Sequence, residues 1–196
     1  MDTILKKEGS TVWITGLSGS GKTTLGLALK TYLTSRGVPC YVLDGDQLRG
    51  SLSQDLGYSS MESEENARRA GEVALMFAKT GFLAICCLIS PSKRARNAIR
   101  ARHAHLRLAF HEIHLKCSLS ICRARDPKGW YSKYEVARLA HQQIRVGSVN
   151  LKYEDIGSFL EENSYDIPDE PDLSLDTETQ GVSECLNTLV NYLKLS

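Results

Sequence analysis

Residues 16–23 read GLSGSGKT, and no other stretch restricts the possible folds of the chain as strongly. The spacing is G-x-x-x-x-G-K-[ST]. An apolar run, TVWIT (11–15), precedes it, and a helix-like stretch begins at Lys22. Gly16, Gly19 and Gly21 let a loop turn its backbone N–H groups inward, onto phosphate oxygens. The helix that follows adds the positive end of its dipole. Lys22 supplies a point charge to the β- and γ-phosphates, so it is both a binding and a catalytic candidate. Thr23 offers its hydroxyl to Mg²⁺. Ser18, Ser20 and Thr24 complete the triphosphate-binding set. A glycine-rich turn with an incidental lysine is the alternative, but it does not require every fixed position between a strand and a helix. The motif predicts a bound nucleoside triphosphate, with ATP as the default, held with Mg²⁺. It does not name the phosphoryl acceptor, because GTPases, motors and small-molecule kinases share this loop.

The rest of the chain predicts an α/β fold around that loop. Its 196 residues suit a single domain, 1–196. Apolar runs of strand length at 12–15, 40–43, 82–89 and 110–117 alternate with helix-like stretches at 22–35, 61–80 and 92–102, and a last helix is expected near 182–195. The alternation predicts βαβ units and a parallel sheet flanked by helices, the P-loop NTPase architecture of nucleotide kinases. FLAICCLIS (82–90) is apolar throughout, as a central strand buried on both sides must be. Residues 126–176 break the pattern. They are polar, mixed in charge and weakly periodic, and they read as a mobile lid insertion with a short helix inside it. Lysine and arginine number 24 against 23 acidic residues, so no overall field favours nucleic acid or membranes. No apolar run is long enough to span a bilayer, and the first ten residues lack a secretion signal. The six cysteines form no C-x-x-C pair and read as free thiols of a cytoplasmic protein.

Two aspartates, Asp44 and Asp46, close the apolar run at 40–43 with only Gly45 between them. An open parallel sheet binds ligands beyond the carboxyl ends of its strands, which puts both beside the γ-phosphate. A carboxylate there can hold Mg²⁺ or take the proton of an attacking hydroxyl. The long run 82–89 ends without an acid, so the Asp-Gly-Asp pair takes over the metal-positioning task. Asp46, with Thr23, is the metal candidate and also the candidate base. Asp44 faces the acceptor side, or fixes the turn. Arg49 follows Asp46 at i+3 and can grip an acceptor anion on the same helical face. A helix cap at Asp46 with a surface arginine is the competing reading. No N-K-x-D guanine motif is present.

These residues lie in ordered stretches that resemble the adenylyl-sulfate kinases (APS kinases): VWITGLSGSGKTTL (12–25), LDGDQLRGSL (43–52), DLGYS (55–59), ENARRAGEVA (65–74), LISP (88–91), CRARDPKGWY (122–131) and YDIPDEPDLSLDT (165–177). The resemblance implies transfer of the γ-phosphate of ATP to the 3′-hydroxyl of adenosine 5′-phosphosulfate. It implies that Asp46 lies near that hydroxyl and that Arg49 and Asn66 bind the acceptor. Tyr58 stands where the family has a stacking phenylalanine, and keeps the ring. Arg125 is implied to lie against the ATP base, Lys128 to be the lid cation, and Ser90 to face the site. Phe159 is the lid aromatic, with Tyr153 as its rival. Small-molecule partners and a homodimer are implied as well.

The chain departs from the family pattern at three places. Glu62-Ser63 replaces an Asp-Arg pair whose arginine contacts the acceptor. Ser92 and Lys93 follow LISP in place of an aromatic and a basic or polar residue, so Lys93 or Arg94 is expected to restore the charge. The lid after Tyr131 is longer and poorly matched. The acceptor therefore stays open between adenosine 5′-phosphosulfate and another small nucleotide-linked anion, with a non-catalytic nucleotide-binding partner as a further alternative. Residues 91–111 contain six lysines or arginines and no acid, and they read as a basic rim for an anionic substrate. Arg68 and Arg69 read equally as ligands or as a salt-bridged helix face.

Overall fold

A computed structural model describes residues 9–140, 144–146, 149–151, 157, 160 and 164–195. Strands β1 (Ser10–Thr15), β2 (Cys40–Asp44), β3 (Leu83–Cys87) and β4 (Ala109–Lys116) alternate with helices α1 (Lys22–Thr34), α2 (Gly45–Arg49), α3 (Ser60–Lys79) and α4 (Lys93–His105). Then come α5 (Leu119–Arg125), α6 (Trp130–Ala140), a small antiparallel pair β5 (Ile144–Val146) and β6 (Val149–Leu151), β7 (Leu173–Asp176) and α7 (Val182–Tyr192). The main sheet has the order β2-β3-β1-β4-β7, and every pairing in it is parallel.

The period-2 alternation of a strand sends its side chains to opposite faces. On one face Val12, Ile14, Ile85, Ile113 and Leu175 pack with Leu25, Leu29 and Leu33 of α1 and with Leu189 of α7. On the other face Trp13, Ala84, Cys86 and Phe110 pack with Ala67, Ala70 and Ala74 of α3 and with Ile99 of α4. The small alanines bring α3 close to the sheet. On the opposite face the approach of α1 depends on Gly26, where a Cβ would lie 2.3 Å from Cys87 Sγ. All six cysteines are free. Among the described residues no helix is long and apolar enough to cross a membrane.

The structure corrects two expectations. Residues 173–176, placed in the lid region by their acidic, proline-bearing surroundings, form β7 at the sheet edge, where Ile113 pairs with Leu173 and Lys116 with Asp176. Four residues, LSLD, are too few to stand out as a strand, but Leu175 is buried in the core. The stretch 91–111 is not a basic rim. Carboxylates pair with five of its six cations: Lys93 with Asp169, Arg94 with Glu64, Arg96 with Glu112, Arg100 with Glu112 and Asp172, and Arg102 with Glu72. Apart from Glu112, which directly follows the stretch, their partners lie 30 or more residues away, so the local run looked unbalanced.

Candidate active site

The carboxyl ends of β1, β2 and β3 open into a cavity of about 610 Å³. The loop between β1 and α1 forms one end of it. Gly19 has φ +80°, and a Cβ there would also lie 2.7 Å from the Cys122 carbonyl oxygen. Gly21 caps α1 in the left-handed region, with φ 97° and ψ 11°. Glycine is the residue that takes such backbone without strain. Lys22 Nζ donates to the carbonyls of Gly16 (2.9 Å) and Leu17 (2.6 Å). Burial, and then the nearby Lys128 charge, bring its pKa down to about 8. The Tyr131 hydroxyl donates to the Ser18 carbonyl at 3.0 Å and so braces the loop from α6.

The two aspartates separate in role. Asp44 ends β2 in extended backbone and caps α2, its Oδ1 accepting from the Asp46 amide at 3.0 Å. Its other oxygen accepts from Thr23 Oγ1 at 2.7 Å. Asp46 stands half-exposed on the first turn of α2 and pairs with Lys128. The carboxylate against Thr23 is therefore Asp44, where the sequence reading had paired Thr23 with Asp46. The side-chain direction of each depends on the strand-to-helix turn, which residue spacing does not reveal.

Beyond Asp46, Arg49 donates to the Gly57 carbonyl and, at 3.4 Å, to Ser63 Oγ. Its guanidinium lies 4.1 Å from the Tyr58 ring centre. Burial lowers the Arg49 pKa and raises that of Tyr58. The rings of Tyr58 and Trp130 are 5.1 Å apart and tilted by 59°. Glu62 closes a capping box with Ser59 at the start of α3 and also accepts from the Gly57 amide at 2.8 Å. Asn66 follows one turn later, lines the cavity, and has a buried Oδ1 with no partner. Ser90, at φ +46°, has an equally orphaned hydroxyl on the wall beyond β3. With Ser20, three of the five buried unpartnered side-chain polar atoms among the described residues line this one cavity. Buried polar atoms are normally satisfied, so such a cluster marks where a polar ligand completes the bonding.

At the opposite end Arg125 Nη2 donates to the Thr177 carbonyl (2.6 Å), and Thr177 Oγ1 to that of Ser20 (3.0 Å). Thr177, Gln180, Val182 and Cys185 join Arg125 and Thr24 on the lining. Sequence reasoning missed Trp130, Tyr131 and Thr177, although all three lie within the stretches 122–131 and 165–177 that it singled out. It had no signal for Gln180, Val182 or Cys185. Lys93 and Arg94 are not on the lining and pair with Asp169 and Glu64, which are not on it either, so neither replaces the cation absent at Ser63. Arg68 and Arg69 form the salt-bridged face, with Glu65 and Asp55. Phe159 and Tyr153 lie outside the described residues.

The family model for adenylylsulphate kinase matches residues 8–155. The chain belongs to the adenylyl-sulfate kinase family. An adenylyl-sulfate kinase of Oceanobacillus iheyensis is 40% identical over 187 residues, which is 95% of this chain and 85% of that protein. One from Burkholderia ambifaria is 40% identical over 190 residues, covering 97% and 95%. The Mycobacterium tuberculosis APS kinase CysC, solved in complex with AMPPNP and APS, superposes with a TM-score of 0.81 at 35% identity over 95% of this chain and 98% of that one. A gluconokinase from Sinorhizobium meliloti, at 17% identity and a TM-score of 0.59, shares the fold alone. Adenylyl-sulfate kinases are P-loop proteins, and the glycine-rich turn, the Asp-Gly-Asp strand end and the Ser90 corner of this chain all meet in one cavity.

Proposed function

We propose that this chain transfers the γ-phosphate of ATP to the 3′-hydroxyl of adenosine 5′-phosphosulfate, releasing ADP and 3′-phosphoadenosine 5′-phosphosulfate. The observation that carries the reading is one continuous cavity. It has a triphosphate loop at one end, orphaned polar groups beside the half-buried Arg49 at the other, and two carboxylates between them. The bond from the γ-phosphorus to its bridging oxygen breaks as one to the acceptor oxygen forms. Asp46 orients the hydroxyl and takes its proton. Lys22 and the N–H groups at the start of α1 stabilise the charge on the transferring phosphoryl. Lys128 leaves Asp46 for the phosphates once substrates are in place. Arg49, Asn66, Tyr58 and Ser90 line the acceptor end, and Arg125 with Thr177 lines the nucleobase end.

Magnesium binds through one or two carboxylates plus phosphates and waters, without an all-protein cage. The oxygens of Thr23 and Asp44 suit it, and the described residues hold no cluster of three or more metal-ligating side chains. Asp46 completes the acidic side of that site. An ion held by these residues would supply positive charge to the phosphates. Residues 126–164, which include α6, serve as the lid that keeps water from the phosphoryl. We also read the protein as a cytoplasmic homodimer. Free thiols support the first part and family membership the second; a hexameric relative from Thiobacillus denitrificans has a TM-score of 0.66.

The test is ADP release from ATP·Mg²⁺ with and without adenosine 5′-phosphosulfate. Stimulation by that acceptor above all others in a panel of nucleotide-linked sulfates and phosphates is expected. Ser63, which offers a hydroxyl in place of the usual arginine, favours the second reading, a different nucleotide-linked acceptor. Stronger stimulation by another panel member would establish that reading instead.

A further inference from the structure

Arg96 is the most deeply buried cation among the described residues, with 1% of its side chain exposed, yet it does not line the cavity. Its guanidinium is spread over three separate places. Nε donates to Glu112 Oε1 on β4 at 2.7 Å. Nη1 donates to the carbonyls of Ser90 (2.6 Å) and Pro91 (3.1 Å). Nη2 donates to the carbonyl of Asp166 at 2.6 Å. The chain around Asp166 returns from the lid region, and its amide donates to the Pro91 carbonyl at 2.9 Å. The Tyr165 ring lies 5.4 Å from the guanidinium. Its hydroxyl bonds Thr15 Oγ1 (2.9 Å), which itself donates to the Ile89 carbonyl at 2.6 Å. Thr15 immediately precedes the phosphate loop.

Ion pairing with Glu112 alone would not require this arrangement. Arg100 also reaches Glu112, at 3.2 Å, and pairs with Asp172 without touching Ser90, Pro91 or Asp166. Arg96 differs in turning a planar fork of donors onto main-chain carbonyls of two separate segments. One of those carbonyls belongs to Ser90, whose left-handed backbone is costly for a residue with a Cβ and persists only when its surroundings enforce it.

We propose that Arg96 is a positioning residue. It locks the Ser90–Pro91 corner of the acceptor wall to the Tyr165–Asp166 limb, so that the wall and the root of the lid move as one piece. This deepens the kinase reading and rests on it, because what is positioned is the acceptor end of that site. Asn66 and Ser90 both line the cavity, and a shift of the corner changes their spacing without disturbing the phosphate loop.

The experiment compares Arg96→Lys with Arg100→Lys. Lysine at 96 keeps a cation beside Glu112 but cannot reach all three carbonyls. Its KM for adenosine 5′-phosphosulfate is expected to rise roughly tenfold to a hundredfold, the scale of a small misplacement of a bound group. Its Kd for the ATP analogue AMPPNP should stay within about twofold, and Arg100→Lys should leave both constants unchanged. Amide hydrogen exchange without substrates should speed up in both 88–92 and 164–166 in Arg96→Lys, and in neither segment in Arg100→Lys. Equal effects of the two substitutions, parallel losses for both substrates, or faster exchange in only one segment would overturn the proposal. If Arg96→Lys does not fold, native-state exchange of the wild-type protein in graded denaturant decides. The two segments must open with the same denaturant dependence, and separate opening refutes the link. A wild-type enzyme inactive on adenosine 5′-phosphosulfate would refute the function but not the link, which the exchange data read without any substrate.

Discussion

Lys22 is buried against main-chain carbonyls and, among the described residues, within ion-pair distance of no carboxylate. Burial lowers its pKa from 10.5 to about 8, so above pH 8 the ligand-free protein sheds a proton that the unfolded chain keeps until 10.5. The unfolded state then holds more protons, and ligand-free stability rises with pH across that window. Bound phosphates favour the ammonium and restore the proton. Nucleotide binding near pH 8–9 should therefore take up protons, and affinity should fall by up to about tenfold per pH unit above 8. Titration calorimetry in buffers of different ionisation enthalpy measures the uptake; no buffer dependence would mean that Lys22 stays charged throughout. At Asp46, substitution by asparagine should lower kcat roughly a hundredfold to ten-thousandfold, the usual worth of a general base, with nucleotide affinity nearly unchanged. Steady-state turnover and AMPPNP titration check this, and near-normal kcat would remove Asp46 from the proton transfer. For Asn66, whose buried Oδ1 has no partner, replacement by alanine should alter stability by less than about 1 kcal/mol, the lost packing being offset by relief of the orphaned acceptor. KM for the acceptor should rise. Thermal unfolding together with kinetics tests both halves, and a severely destabilised variant would show the amide to be structural.

Helix α2 has only five residues, so its geometry depends on the cap at Asp44. Asparagine caps as well as aspartate does, while alanine costs about 1 kcal/mol. Asp44→Asn should keep the melting temperature but raise the Mg²⁺ concentration needed for half-maximal rate, because a charge beside Thr23 is lost. Asp44→Ala should lower both stability and rate. A Mg²⁺ requirement unaltered in Asp44→Asn would confine Asp44 to capping. The strand–helix order around α1 and α3 was legible because each shows helical spacing of its apolar positions. Strand β7 was not, because proline and acidic neighbours surround it and its stability comes from pairing with β4. The charge balance of α4 was equally hidden, since Glu64, Glu72, Glu112, Asp169 and Asp172 come to it from other elements.

At the scale of the whole molecule, the carboxyl ends of three parallel strands open into one cavity, and the return limb at Tyr165–Asp166 is bonded to its wall. Closure of the proposed lid should shield Lys128, which is 44% exposed on its ion pair with Asp46. Trypsin cleavage after Lys128 should slow several-fold when AMPPNP and adenosine 5′-phosphosulfate are both present, and less with either alone. Mass analysis of the fragments measures this, and cleavage indifferent to ligand would sink the lid. The amino-acid sequence alone determined the phosphate loop, the parallel sheet and the Asp-Gly-Asp strand end. Those depend on local periodicity and on glycines at fixed spacing. Which aspartate meets Thr23, which arginine braces the acceptor wall, and which polar atoms wait unpaired in the cavity were decided only by the tertiary structure. The fold brings Thr23 to Asp44 across 21 residues and Arg96 to Asp166 across 70, and no local pattern encodes those distances or which polar atoms the cavity leaves unpaired.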